Sequence, residues 1–164
     1  VNARIVAVIV VTCLLAGCGS QYAGSTVGQQ VESWATSSPD PKFSSALSTL
    51  RADIARTDGA EASNDEAALR TDCDVLVTDA LSANQNLPTP DSDLSNILSR
   101  AYTAAADAGK DCLCAAGGGG CSTAAQGQSS LYSLSVREGM TADRGFIAAE
   151  ARVDFLTSLS GGGG

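Results

Sequence analysis

Apolar residues recur at intervals of three and four along most of this chain, and that period confines it to helices. Phe43, Leu47, Leu50 and Ile54 form one stripe, with Arg51, Asp53 and Arg56 turned away from it. Leu69, Cys73, Leu76, Val77 and Ala80 form a second, and Leu94, Ile97, Leu98, Ala101, Tyr102 and Ala105 a third that continues toward Cys112. Such spacing puts every apolar side chain on one side of a 3.6-residue turn, the signature of a helix burying one face. Leu131, Leu134, Met140, Ile147, Val153 and Leu156 mark a last helical region, interrupted by Gly139 and Gly145. Those glycines either divide it or let one long helix approach a neighbour closely. Val31 and Trp34 suggest a short leading helix, ended by Ser37-Ser38-Pro39-Asp40-Pro41, because proline cannot sit in a helix interior.

Asp58-Gly59 is expected to end the second helix, and Ser63 with Glu66 has the spacing of a capping box for the third. Leu87-Pro88-Thr89-Pro90-Asp91 reads as an extended connector, with Asp91 as N-cap of the helix after it. Alanine and leucine abound while aromatic residues make up only 4%, a balance that favours helix over strand. The expected fold is all-α: an antiparallel bundle of about four helices with a short leading helix, stapled by disulfides.

The N-terminus has a different character. Arg4 precedes an almost unbroken apolar run from Ile5 to Ala16, followed by Gly17 and Cys18. A positive end followed by about 7–15 apolar residues reads as a secretory signal, too short for a bilayer-spanning helix of about 20. Leu15-Ala16-Gly17-Cys18 resembles the lipobox of bacterial lipoproteins at every position. The resemblance implies transfer of a diacylglyceryl group to the Cys18 sulfur, cleavage before it, and acylation of the new amine by a fatty acid such as palmitate. The alternative is an ordinary cleaved signal with an incidental cysteine. The organisation expected is a signal peptide over 1–17, a flexible polar tether over 18–28, the bundle over 29–160 and a disordered tail over 161–164.

Removing the first 17 of the 164 residues leaves 147, enough for one domain with a real core. The loss of Arg4 takes the net charge from −8 to −9. A chain this acidic repels phosphate, so nucleic acid is not an expected partner and a basic surface cannot supply membrane attachment. Acyl chains on Cys18 would do so, holding the domain on the extracytoplasmic face of the cell membrane. Histidine is absent, which removes the commonest general base and the commonest metal ligand.

Of six cysteines, Cys13 belongs to the signal and Cys18 to the lipobox, leaving Cys73, Cys112, Cys114 and Cys121. An even number in an exported chain reads as two disulfides. Cys112 and Cys114 are too close in sequence to bond each other without strain, so Cys73 pairs with one of them and Cys121 with the other. Cys73–Cys112 with Cys114–Cys121 is favoured, because Cys112 keeps helical register with Ala101, Ala105 and Ala108. Four thiolates holding zinc or copper(I) are the alternative. The mature part also resembles small helical lipoproteins of high-GC Gram-positive bacteria, through Trp34, Asp72-Cys73-x-x-Leu76, Leu87-Pro-x-Pro-Asp91, Asp111-Cys112, and Gly145 ahead of Ala148-Ala149. Many of those proteins have no assigned activity. The Cys114 and Gly117–Gly120 segment looks like an addition to that pattern.

Candidate chemistry is sparse. Asp72 and Asp79 share a helical face two turns apart, with Asp74 nearby, but a solvated surface accounts for them. Capping and the helix dipole account for Asp91, Asp93 and Asp65-Glu66. No serine lies in a Gly-x-Ser-x-Gly elbow or a Ser-x-x-Lys motif, and no Gly-Lys-Ser/Thr follows Gly117–Gly120. Trp34 and Tyr102 read as core packing. No catalytic, cofactor or metal residue is therefore expected. The sequence points to a lipid-anchored envelope protein with a non-catalytic helical interaction module, whose partner is an envelope protein or cell-wall component. The alternative is a carrier that holds a small apolar ligand or a metal within the bundle.

Overall fold

A computed structural model describes residues 25–37, 43–63, 65–118, 121 and 127–161. The expected signal peptide, Cys18 and most of the expected tether lie outside the described residues. Five helices follow in order: α1 (Val27–Thr36), α2 (Ser44–Ser63), α3 (Glu66–Asn84), α4 (Ser92–Ala115) and α5 (Gln128–Gly161). Among the described residues there is no strand, and the protein is an all-α bundle.

Side-chain contacts fix the directions. Asp91, Ala101 and Ala108 of α4 meet Arg152, Gly145 and Ser135 of α5, so these helices run antiparallel. Cys73–Cys112 and the approach of Gly109 to Val77 align α3 against α4 in the same sense. Asp53 facing Asp79 and Ala60 clustered with Leu69 do so for α2 and α3. α1 lies on the last turns of α5, where the start of α1 at Gly28 abuts the Leu156 backbone. Fully buried Leu47, Leu50, Leu76, Leu94, Leu98 and Phe146 form the interior. Trp34 and Tyr102 join it, Trp34 lying 5.9 Å from the Phe43 ring centroid.

Helix boundaries differ from the sequence reading for identifiable reasons. α1 begins at Val27, inside the stretch read as tether, because Thr26 and Gln29 form a capping box: Thr26 Oγ1 accepts from the Gln29 amide and Gln29 Oε1 from the Thr26 amide. α2 runs through Asp58-Gly59 to Ser63, one turn further than expected. Its reward is Ala60, buried in a second small cluster with Leu69, Cys73, Cys112 and Ala116. Ser63 is thus helical, and the N-cap of α3 is Asp65, which accepts from the Ala68 amide at 3.0 Å. Asp91 caps α4 as expected, its Oδ1 accepting from the Leu94 amide at 2.8 Å.

The connector before Asp91 is less extended than its prolines suggest. Leu87 donates to the Asn84 carbonyl at 3.3 Å, so the chain keeps turning beyond α3, and the Leu87–Pro88 peptide is cis. Three residues of continued turn add about 5 Å of rise beyond the end of α3.

α5 is one helix of 34 residues. Gly145 explains its continuity: a Cβ there would lie 2.6 Å from Ala101 Cβ, so glycine sets how closely α4 and α5 cross. The core stripe of α5 differs from the expected one. Ala142, Phe146 and Ala149 face inward at spacings of four and three, whereas Met140 and Ile147 are 53% and 55% exposed. At the crossing, Gly145→Ala is expected to destabilise by about 1–3 kcal/mol, because overpacking must push the helices apart. Gly59, with nothing within 4 Å of its Cβ position, is the contrast. There the same change is expected to stabilise by about 0.5–1 kcal/mol through helix propensity. Urea denaturation of the two variants should show midpoints moving in opposite directions.

Candidate functional site

α2 packs mainly on α3, and between α2 and α5 the surface opens into a cleft of about 430 Å³. Ile54 and Ala55 of α2, Leu76 of α3, Ala108 of α4 and Val136, Gly139 and Met140 of α5 give it an apolar lining. Its polar groups are mostly engaged. Thr57 Oγ1 donates to the Ile54 carbonyl at 2.7 Å, and Ser135 Oγ to the Ala108 carbonyl at 2.9 Å. Each hydroxyl is a donor to its own fold, without the base that a nucleophile requires.

Arg51 closes one side. Its Nη1 and Nη2 donate to the two Glu150 carboxylate oxygens at 2.7 and 3.0 Å, its Nε to Asp143 at 3.0 Å, and its guanidinium lies 5.8 Å from the Phe146 ring centroid. The bidentate bond to Glu150 keeps Arg51 protonated well above its ordinary range and holds Glu150 below its own. Arg144 and Asp58 also line the cleft, and neither forms an ion pair among the described residues. Burial pushes the Asp58 carboxyl upward. Chemically this is a receptor for an apolar body with a polar end, of the size small-molecule sites have.

A second polar feature contradicts the sequence reading of α2. Asp53 is fully buried and faces α3, although it was expected to turn away from the core with Arg51 and Arg56. Arg56, one turn on, reaches back to donate to Asp53 Oδ1 and lies 3.7 Å from Asp72 Oδ1. Asp53 Oδ2 has no hydrogen-bond partner. Burial raises the Asp53 carboxyl, Arg56 opposes that shift, and the facing Asp79 carboxyl adds to it. The solvated-face reading therefore holds for the exposed Asp74 but not for half-buried Asp79.

Because the folded state holds this proton to higher pH than the unfolded chain, stability from Asp53 is fullest below the ordinary carboxylate pKa. It falls as pH rises through the raised value. Asp53→Asn removes the titration and keeps an acceptor for Arg56. The variant is expected to gain on the parent as pH rises above about 4, the ordinary carboxylate value, as read from urea midpoints at each pH.

The four cysteines are paired as Cys73–Cys112 and Cys114–Cys121, with Cα separations of 5.8 and 5.5 Å. All four sulfurs being oxidised, the thiolate metal site has no ligands here. Among the described residues no group of three or more His, Cys, Asp or Glu side chains is placed to hold a metal ion. Around the second disulfide, neighbouring helices satisfy the last carbonyls of α4: Arg70 donates to Ala116 O and Gln128 to Ala115 O, both at 2.6 Å. Gly117, at φ +72°, turns the chain there.

Asp91 and Asp93 serve structure as well as capping. Arg152 donates to both Asp91 oxygens at 3.0 and 2.8 Å and lies 3.3 Å from Asp93, and this bond holds the Asp91 carboxyl below its usual range. Tyr102 is buried, which pushes its hydroxyl up to about 12. Cys18 lies outside the described residues. No helix among the described residues is long and apolar enough to cross a membrane.

Comparison with protein-family models, curated proteins and solved structures found no match to this chain. The site therefore has to be read from its own chemistry. Sequence spacing could not reveal the cleft, whose width depends on how far α2 diverges from α5. The signal for Asp53 was its position three residues before Arg56, with Asp72 and Asp79 on one face of the next helix.

Proposed function

We propose that the chain is a cell-envelope lipoprotein, anchored through acylated Cys18, whose helical domain binds an envelope protein or cell-wall component without catalysis. The observation that carries the interaction reading is the outer face of α5. Val136, Met140 and Ile147 stand exposed there, the first two also lining the cleft toward α2, on a helix whose other side is locked into the core by Ala142, Phe146 and Ala149. A rigid helix presenting apolar side chains to solvent suits docking, because little entropy is lost on binding. A photoreactive residue in place of Met140 or Ile147 tests it in living cells. The expected result is a discrete protein or glycan adduct at both positions and none at Thr103, on the exposed side of α4. No adduct at any position would contradict the reading.

The cleft between α2 and α5 favours a second reading, in which the domain carries a small amphipathic molecule on the apolar surface of Ile54, Leu76 and Met140. Native mass spectrometry separates the two. A retained small molecule, lost in a cleft-filling Gly139→Leu variant, supports the carrier; a bare polypeptide mass supports the interaction module.

A further inference from the structure

We propose that the bundle stands end-on, with the start of α1 and the finish of α5 resting on the bilayer and Val27, Phe155 and Leu159 as contact side chains. This rests on acylation of Cys18. Gly28 against Leu156 and Arg152 bonded to Asp91 gather the start of α1, the last turns of α5 and the start of α4 at one end. Val27, Phe155 and Leu159 are 45%, 53% and 65% exposed there, although each is large and apolar. Phe155 and Leu159 are four apart on one helix face, with Arg152 5.8 Å from the Phe155 ring centroid. Together they give this end the wedge-like character of an interfacial contact, which buries apolar side chains about 5–10 Å into the headgroup region.

Charge points the same way. Residues 18–31, 80–90 and 155–164 contain no Asp, Glu, Lys or Arg. The described parts of the first and last stretches, α1 from Val27 and α5 from Phe155, meet at this end, and the second stretch leads into α4. Of the acids near this end, Asp91 and Asp93 are answered by Arg152, while Glu32 and Asp154 flank the uncharged stretches. By this end an anionic bilayer meets the uncharged last turns of α5 first, whereas α5 lying flat would also bring Glu138 and Asp143 against it.

Reach removes the inverted orientation. The seven peptide units from Cys18 to Ser25 span at most about 25 Å when fully extended. At 1.5 Å per residue, the 34 residues of α5 make the bundle about 50 Å long. A lipid on Cys18 cannot reach the membrane if the opposite end is the one that touches it.

The test uses the full acylated chain in phosphatidylcholine–phosphatidylglycerol vesicles with brominated acyl chains, which quench indoles at the lipid surface. Leu159→Trp and Met140→Trp, both at exposed sites, are compared with the parent, whose single Trp34 is buried and gives a common background. Flotation of the parent with the vesicles, lost in Cys18→Ala, establishes the anchor first. The expected result is quenching well above the parent for Leu159→Trp and none beyond the parent for Met140→Trp. If the parent floats and neither variant is quenched, the domain stands clear of the bilayer and the docking is wrong while the anchor survives. Equal quenching of both means that α5 lies flat, which also overturns it. A parent that does not float removes the anchor and the docking with it.

Discussion

Phe146→Ala is expected to destabilise the bundle by about 3–5 kcal/mol, the range for deleting a fully buried aromatic ring. Phe146 is 0% exposed and lies beside the close α4–α5 crossing at Gly145. Its ring centroid is 6.2 Å from that of Tyr102, and the Arg51 guanidinium rests on it at 5.8 Å. Truncation therefore removes three things at once: apolar area, an aromatic pair, and the seat that holds Arg51 against Glu150 and Asp143. The helices cannot close the gap, since Gly145 already brings their backbones as near as Ala101 allows. For a domain of ordinary stability, about 5–15 kcal/mol, this is a large fraction of the total. Guanidinium denaturation should show a lower midpoint with an unchanged slope. A loss below about 1 kcal/mol would mean that the crossing is not the rigid centre described here.

The second large effect is the loss of the buried disulfide. Cys73 and Cys112 are 0% and 1% exposed and 39 residues apart, whereas Cys114, at the end of α4, and Cys121 are seven apart and half-buried. Loop-closure entropy gives about 4 kcal/mol for the longer link and about 2.5 for the shorter. Replacing both members of each pair by alanine is therefore expected to cost more at Cys73–Cys112. The packing of the two sulfurs with Ala60, Leu69 and Ala116 adds to the difference. Comparing the thermal midpoints of the two double variants checks the order. Equal losses would show that packing strain outweighs chain entropy at one of the two sites.

Helix identity was legible because it depends on local spacing. The stripes through Leu47, Leu76 and Leu98 point inward as read, and of the two pairings that elimination left for the cysteines, the one favoured by register is present. What escaped depends on partners distant in sequence. Met140 and Ile147 are more apolar than Ala142 and Ala149, yet the alanines face the core on either side of Phe146, because the close crossing of Gly145 on Ala101 fixes which face of α5 meets α4. Asp53 reads as a surface residue, and only the packing of α2 on α3 buries it, with exposed Arg56 reaching back to its carboxylate. The capping box at Thr26 was hidden by a polar stretch that reads equally well as tether. Of the candidate site, the cysteines were readable. The cleft was not, since no residue in its lining carries a motif and its volume is a property of how two helices diverge.

The most direct test of the lipoprotein reading is the intact mass of the protein recovered from the membrane fraction of a bacterial host that processes such signals. The expected mass is that of a chain beginning at Cys18, carrying a diacylglyceryl thioether with or without an N-acyl chain, and four hydrogens short for two disulfides. An unmodified Cys18, or a chain cut at another position, would contradict it.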